Sequence, residues 1–275
     1  MVPFGFHDPT RIAGLASEPA DYGLFVAGYA LPAVFAAWSL RACRPVWLLL
    51  LAAALLVTGV FTNSATGLMA VFVTLLIGLL LGPARALALS LCLGATGALA
   101  YFVESGEAWY LASQLTMTLQ SEPTLSFTTR VFSTLGPLMV LSENPLVVIG
   151  FGLGGSSVHL FEVVPQAVAQ QILEVSWEDA PTLKTLWGKI LAETGIVGGI
   201  LFAVFGLAAV RRALSASRLA DDVALAHASR AAASGLLATL LIHVVGFGAY
   251  TFPYLWLLAG LCDGFGLVAL RKSKG

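Results

Sequence analysis

The chain alternates long apolar runs with short polar breaks. A helix needs roughly 20 mostly apolar residues to cross a hydrocarbon core about 30 Å thick, and the sequence offers such runs repeatedly. Seven are expected as spans: Tyr22 to Leu40, Val46 to Phe61, Gly67 to Leu81, Ala86 to Val103, Leu183 to Val210, Ala231 to Tyr250 and Tyr254 to Leu270. The first four follow one another through brief connections at Arg41 to Pro45, Thr62 to Thr66 and Gly82 to Arg85, which predicts antiparallel neighbours. Gly59, Gly67, Gly94 and Gly97 would let helix backbones approach closely in lipid, and Pro32 is expected to kink the first span.

Between the fourth and fifth spans lies a long loop with internal pattern. Glu107 to Gln120 reads as a short surface helix. Phe127 to Leu141 is apolar enough to lie on the membrane or dip into it, halted by Glu143-Asn144-Pro145. Val147 to Ser157 is glycine-rich, and Val158 to Val175 mixes apolar and polar residues at helical spacing. The fifth span is longer than a bilayer requires, so its first turns project outward, and a polar, partly helical connection is expected from Arg211 to Arg230. The predicted fold is an all-α, polytopic transmembrane bundle in four parts. Residues 1–21 form an extracytoplasmic segment, 22–103 four spans, 104–181 an extracytoplasmic loop with short or re-entrant helices, and 182–275 three spans and a tail.

Composition agrees with lipid as the solvent: the 275 residues are 58% hydrophobic and 11% charged, with a mean hydropathy of +0.90. Charge then sets the orientation, because basic residues near span ends stay on the cytoplasmic side. With Arg41 and Arg44 inside, alternation also puts Arg85, Arg211, Arg212, Arg218, Arg230, Arg271, Lys272 and Lys274 inside, ten of the fourteen basic residues. The N-terminus is then outside, the C-terminus inside and the long loop outside. Met1 to Asp21 lacks the basic start and apolar centre of a cleavable signal, and an outside N-terminus also fits a longer protein with earlier helices. A net charge of -1 argues against nucleic acid as a partner. Cys43, Cys92 and Cys262 lie in or beside different spans without CxxC spacing or paired histidines, so no metal site is expected.

Gly150, Gly152 and Gly155 satisfy GxGxxG, but that motif needs a βαβ unit around it, and a close-packed turn is the better reading. Four basic residues remain outside: Arg11, Arg130, Lys184 and Lys189. Any one of them alone fits a headgroup contact. Together, from three segments at one end of the bundle, they fit an anion site, and guanidinium forks suit diphosphates. Glu18 precedes the first span and Glu193 follows Lys189 by four residues, a spacing that favours an ion pair. Glu162, Glu174, Glu178 and Asp179 read as solvated charges. His159 is either a base or a hydrogen-bonded surface residue, and His243, inside the sixth span, needs a polar partner.

Three segments carry a resemblance to the O-antigen ligase and polymerase superfamily of bacterial inner-membrane glycosyltransferases: RIAGLASEPADYG from Arg11 to Gly23, TRVFSTLGPLMVLSENPLVVIGFGLGGSS from Thr129 to Ser157, and LAETGIVGG from Leu191 to Gly199. The resemblance implies a GT-C-like architecture and transfer of a polyprenyl-diphosphate-linked glycan to a sugar hydroxyl at the outer face of the inner membrane. It implies no cofactor and no metal. Its partners would be the lipid-linked glycan, membrane lipid and a chain-length regulator protein. Arg130 and Arg11 would stabilise the departing diphosphate and Glu18 would accept the hydroxyl proton. Lys184, Lys189, Gly152, Gly154 and His159 would bind substrate. Two departures stand out. Lys184 and Thr185 occupy the place where ligases carry a histidine, which favours a polymerase, and family members carry more helices before the first segment. The competing classes are a lipid-linked oligosaccharide transporter or flippase and a noncatalytic scaffold. A transporter should show internal repeats and charges near the bilayer midplane, and beyond His243 the sequence offers neither.

Overall fold

The structure is a computed structural model that describes residues 19–61, 65–104, 125–141, 143–175, 183–244 and 253–272. Each expected apolar run coincides with a helix, because an apolar environment leaves the backbone no partner for its N–H and C=O groups except itself. Helix α1 (Pro19–Phe25) passes through a π-helical turn (Val26–Ala30) into α2 (Leu31–Ser39); α3 is Pro45–Phe61, α4 Ala65–Leu80 and α5 Arg85–Glu104. Helix α6 (Leu125–Met139) is followed by a 3₁₀ turn (Pro145–Val148), two one-turn helices α7 (Gly155–Val158) and α8 (Leu160–Val163), and α9 (Gln166–Val175). Helices α10 (Leu186–Leu219), α11 (Val223–Ile242) and α12 (Pro253–Lys272) complete the chain, and the described residues include no strand.

Among the described residues three stretches are long and apolar enough to cross a membrane: Tyr22–Ser39, Leu186–Leu219 and Val223–Ile242. Within the helices of the other four runs the described apolar stretches are 10 to 17 residues long: Pro45–Thr58, Met69–Leu80, Arg85–Gly94 and Leu255–Ala269. Helix α10 has 34 residues, roughly 50 Å at 1.5 Å per residue, more than a hydrocarbon core requires. It runs past the expected end at Val210 to Leu219, so the connection beyond Arg211 is mostly helix. Asp222 then caps α11 by accepting the Ala224 N–H at 2.8 Å. Helix α11 starts and stops about two turns earlier than the hydropathy suggested, ending in a turn at His243 and Val244. Just before Pro32, where the sequence predicts a kink, the helix has a π turn over Val26–Ala30, as the residues preceding a proline give up regular α-helical bonding.

The chain divides into two compact units. In one, α1 to α4 and the start of α5 pack around Val26, Leu31, Phe35, Leu75 and Leu87. Tyr22 and Thr58 link two of these helices by a 2.9 Å hydroxyl hydrogen bond. Thr58 donates to carbonyls of its own helix, so the Tyr22 hydroxyl is the donor between helices. Arg212 and Asp263 pair at 3.3 Å in the same unit. The second unit holds α6 to α9, most of α10 and residues 240–260, with a core of Leu160, Val163, Val164, Ile172, Leu183 and Ala192. On α10 the residues Ile200, Leu201 and Val204 are exposed although the helix is apolar throughout, the pattern of a face turned to lipid.

Candidate functional site

The second unit is organised by the first turns of α10. Thr185 is its N-cap, the Oγ1 accepting the N–H of Gly188 at 3.2 Å. Its hydroxyl also meets that of Thr134 on α6 at 2.6 Å. Thr134 donates to the carbonyl of Val244, which leaves Thr185 as the donor in a relay that runs from the two buried hydroxyls out to Val244. One turn along, Gly188 lies against the carbonyl of Ser133, which any side chain at 188 would strike, and the Ser133 hydroxyl accepts the N–H of Lys184 at 3.1 Å. Arg130 is three residues before Ser133 on α6, the spacing of side chains on one helix face, and it is half-buried. Arg130 is thus one turn along α6 from this contact, Lys184 is in it through its backbone N–H, and Lys189 follows Gly188 on α10.

Further along, α10 is broken at Gly195, whose φ of 70° and ψ of -175° no helix contains. The break frees the carbonyls of Ala192 and Glu193. They accept the N–H groups of Phe151 at 3.0 Å and Gly152 at 2.9 Å, so the glycine-rich turn is docked on the kink by backbone hydrogen bonds. Gly150 and Gly195 are the two positions where this approach leaves no room: a Cβ on either would run into the backbone of the other segment. Gly152 and Gly154 also have positive φ, 85° and 80°, but a Cβ there would meet nothing within 4 Å. They line the open side of the turn. The motif that mimicked a dinucleotide fingerprint is this docked turn.

Beneath the turn, Ser156 donates to the Glu193 Oε1 at 2.6 Å, both residues buried. The spacing points to Lys189 as an ion-pair partner of Glu193, and the two charges do interact; Ser156 is a further partner. The buried contact with Ser156 was illegible because the two residues are 37 apart in sequence and only the kink brings them together. Ser156→Ala is expected to cost about 1–3 kcal/mol by removing a donor from a buried carboxyl. The midpoint of thermal unfolding in detergent measures it, and a double-mutant cycle with Glu193→Gln should show coupling.

On the outer side of the turn the His159 Nδ1 lies 3.0 Å from the Glu162 Oε1, and its ring stacks on Phe151 at 4.6 Å. A carboxylate only accepts, so Nδ1 is the donor, and a neutral imidazole then presents Nε2 as an acceptor. Glu162 is thus the orienting partner of His159 and not simply a solvated charge. His243 is buried, at the turn that ends α11. Of the residues singled out from sequence, Arg130, Gly152, Gly154, His159, Lys184 and Lys189 all fall in this one unit. Arg11, Glu18, Glu178 and Asp179 lie outside the described residues, and at Glu174 the helical backbone alone is described. Compared with known proteins, the chain matches no family model, no curated protein and no solved structure.

Proposed function

We propose that this chain is a membrane glycosyltransferase of the O-antigen or exopolysaccharide polymerase type, with about seven spans, acting at the outer face of a bacterial inner membrane. The observation that carries the reading is the company kept by three of the sparse outer cations. Arg130, Lys184 and Lys189 belong to one unit with the docked glycine turn and the His159–Glu162 pair. Arg41, Arg44, Arg85, Arg212, Arg218 and Arg230 belong to the other; Arg211, the last α10 residue of the second unit, is the exception. In this reading the donor is a glycan on a polyprenyl diphosphate. As the glycosidic bond breaks, negative charge grows on the bridging oxygen of the leaving diphosphate, and Arg130 meets it with fixed positive charge; the family resemblance gives Arg11 the same role. Glu18 accepts the proton of the attacking sugar hydroxyl. Lys184 and Lys189 hold the diphosphate, and Gly152, Gly154 and His159 receive the sugar at the open side of the turn.

The test is to supply the purified chain, in proteoliposomes, with labelled lipid-linked repeat units and nothing else. Extension into a ladder of longer lipid-linked chains supports a polymerase. Transfer only when lipid A-core is added would make it a ligase. Movement of the lipid-linked unit between leaflets without any new glycosidic bond would replace the enzyme with a flippase.

A further inference from the structure

We infer that the turn between α2 and α3 is a binding site for a phosphate group carried by an anionic lipid. Trp38, Arg41, Ala42, Cys43, Arg44 and Pro45 of this turn line an open surface depression of about 610 Å³. Among the described residues no acidic side chain lines it, so its charge is wholly positive. Both guanidiniums are exposed, and two such forks offer a phosphate bidentate hydrogen bonds from two directions.

The backbone shows how Arg41 comes to be there. Helix α2 closes with the Ala42 N–H bonded to the Ala37 carbonyl at 3.0 Å and the Arg41 N–H to the Trp38 carbonyl at 3.2 Å, the paired bonds of a Schellman ending. That ending puts the residue just past the helix in the left-handed region, where glycine is the usual occupant. Here the residue is Arg41, with φ of 51°, the single non-glycine with positive φ among the described residues. A strained arginine at a helix end, sharing a depression with a second arginine, fits a residue kept for its side chain.

Position selects the source of the phosphate. Two apolar helices meet at this turn, and Val46 and Trp47 on the next helix are more than half exposed, so the turn is at the level where lipid headgroups lie. A soluble phosphate would reach the same guanidiniums but would gain nothing from the surrounding apolar side chains. The site is independent of the glycosyl-transfer reading, since it lies in the other unit.

Cys43 is exposed and lines the depression, which makes its alkylation a reporter of occupancy. The full chain is placed in nanodiscs of phosphatidylcholine, with or without phosphatidylglycerol, and maleimide labelling of Cys43 is followed by peptide mass. Phosphatidylglycerol should slow labelling several-fold in the native chain and not in the double variant Arg41→Gly with Arg44→Gln. The anionic surface is the same in both, and a glycine suits the left-handed turn, so a bulk surface effect or a lost fold does not imitate this result. Lipid retained in native mass spectrometry should fall about fivefold for each arginine removed, the factor that corresponds to roughly 1 kcal/mol per basic residue at an anionic surface. Equal protection in the native and variant chains would overturn the site. Protection by inorganic phosphate at matched ionic strength, with none from phosphatidylglycerol, would overturn the lipid as its source.

Discussion

Arg130→Ala is expected to slow chain extension by roughly 10² to 10³, the loss of about 3 kcal/mol that accompanies removal of one preorganised donor from developing charge. Arg130 stands on α6 one turn before Ser133, whose hydroxyl accepts the Lys184 N–H, so the cation is close in the chain to the point where α6 meets the head of α10. Charge alone is not the whole requirement. Arg130→Lys keeps the positive charge and loses the fork, and should fall between the native chain and alanine. The fall should appear in kcat more than in KM, because the charge on the bridging oxygen grows only as the bond breaks. Single-turnover extension of labelled lipid-linked repeats reads this directly, with the unfolding midpoint measured alongside. A native rate from Arg130→Ala would remove the residue from the mechanism; a large drop in midpoint would make the effect one of folding.

What the sequence disclosed followed from how locally each feature is encoded. Helix existence was legible because an apolar run in lipid has one way to satisfy its backbone, and every run from Tyr22 to Leu270 became a helix. Helix ends were legible only where a cap is written nearby. Asn144 before Pro145 marks the 3₁₀ turn and accepts the Leu146 N–H at 3.0 Å, whereas the cap at Asp222 goes unread when hydropathy puts the start of that span at Ala231. Where no such residue intervenes, as between Val210 and Leu219, hydropathy stopped at the arginines while the helix continued, since arginine is itself a good helix former. The candidate cations stood out by their scarcity on one side of the charge pattern. Their supports did not. Ser133, Thr134, Ser156 and Thr185 are ordinary hydroxyl residues in sequence, and only the folded chain turns them into caps and buried relays.

Gly195→Ala should be the most damaging small substitution in the second unit, costing roughly 3–5 kcal/mol. Its φ of 70° with ψ of -175° is a conformation essentially reserved for glycine, worth about 1–3 kcal/mol against any other residue. The new methyl would also strike the carbonyl of Val148 and press on Ile149. To relieve that, the glycine turn must lift from α10, and the two hydrogen bonds from Phe151 and Gly152 to Ala192 and Glu193 would stretch or break, at about 1 kcal/mol each. Gly152→Ala separates the two contributions, because its φ of 85° carries the backbone cost but a Cβ there has open space around it. It should lose only about 1 kcal/mol. Unfolding midpoints of the two variants in the same detergent provide the comparison. Equal losses would mean that strain alone governs both sites and that the turn is not held against the kink. A much larger loss at Gly195 would locate the stability of the glycine turn, and with it the placement of Ser156 and His159, in the break of a single long helix.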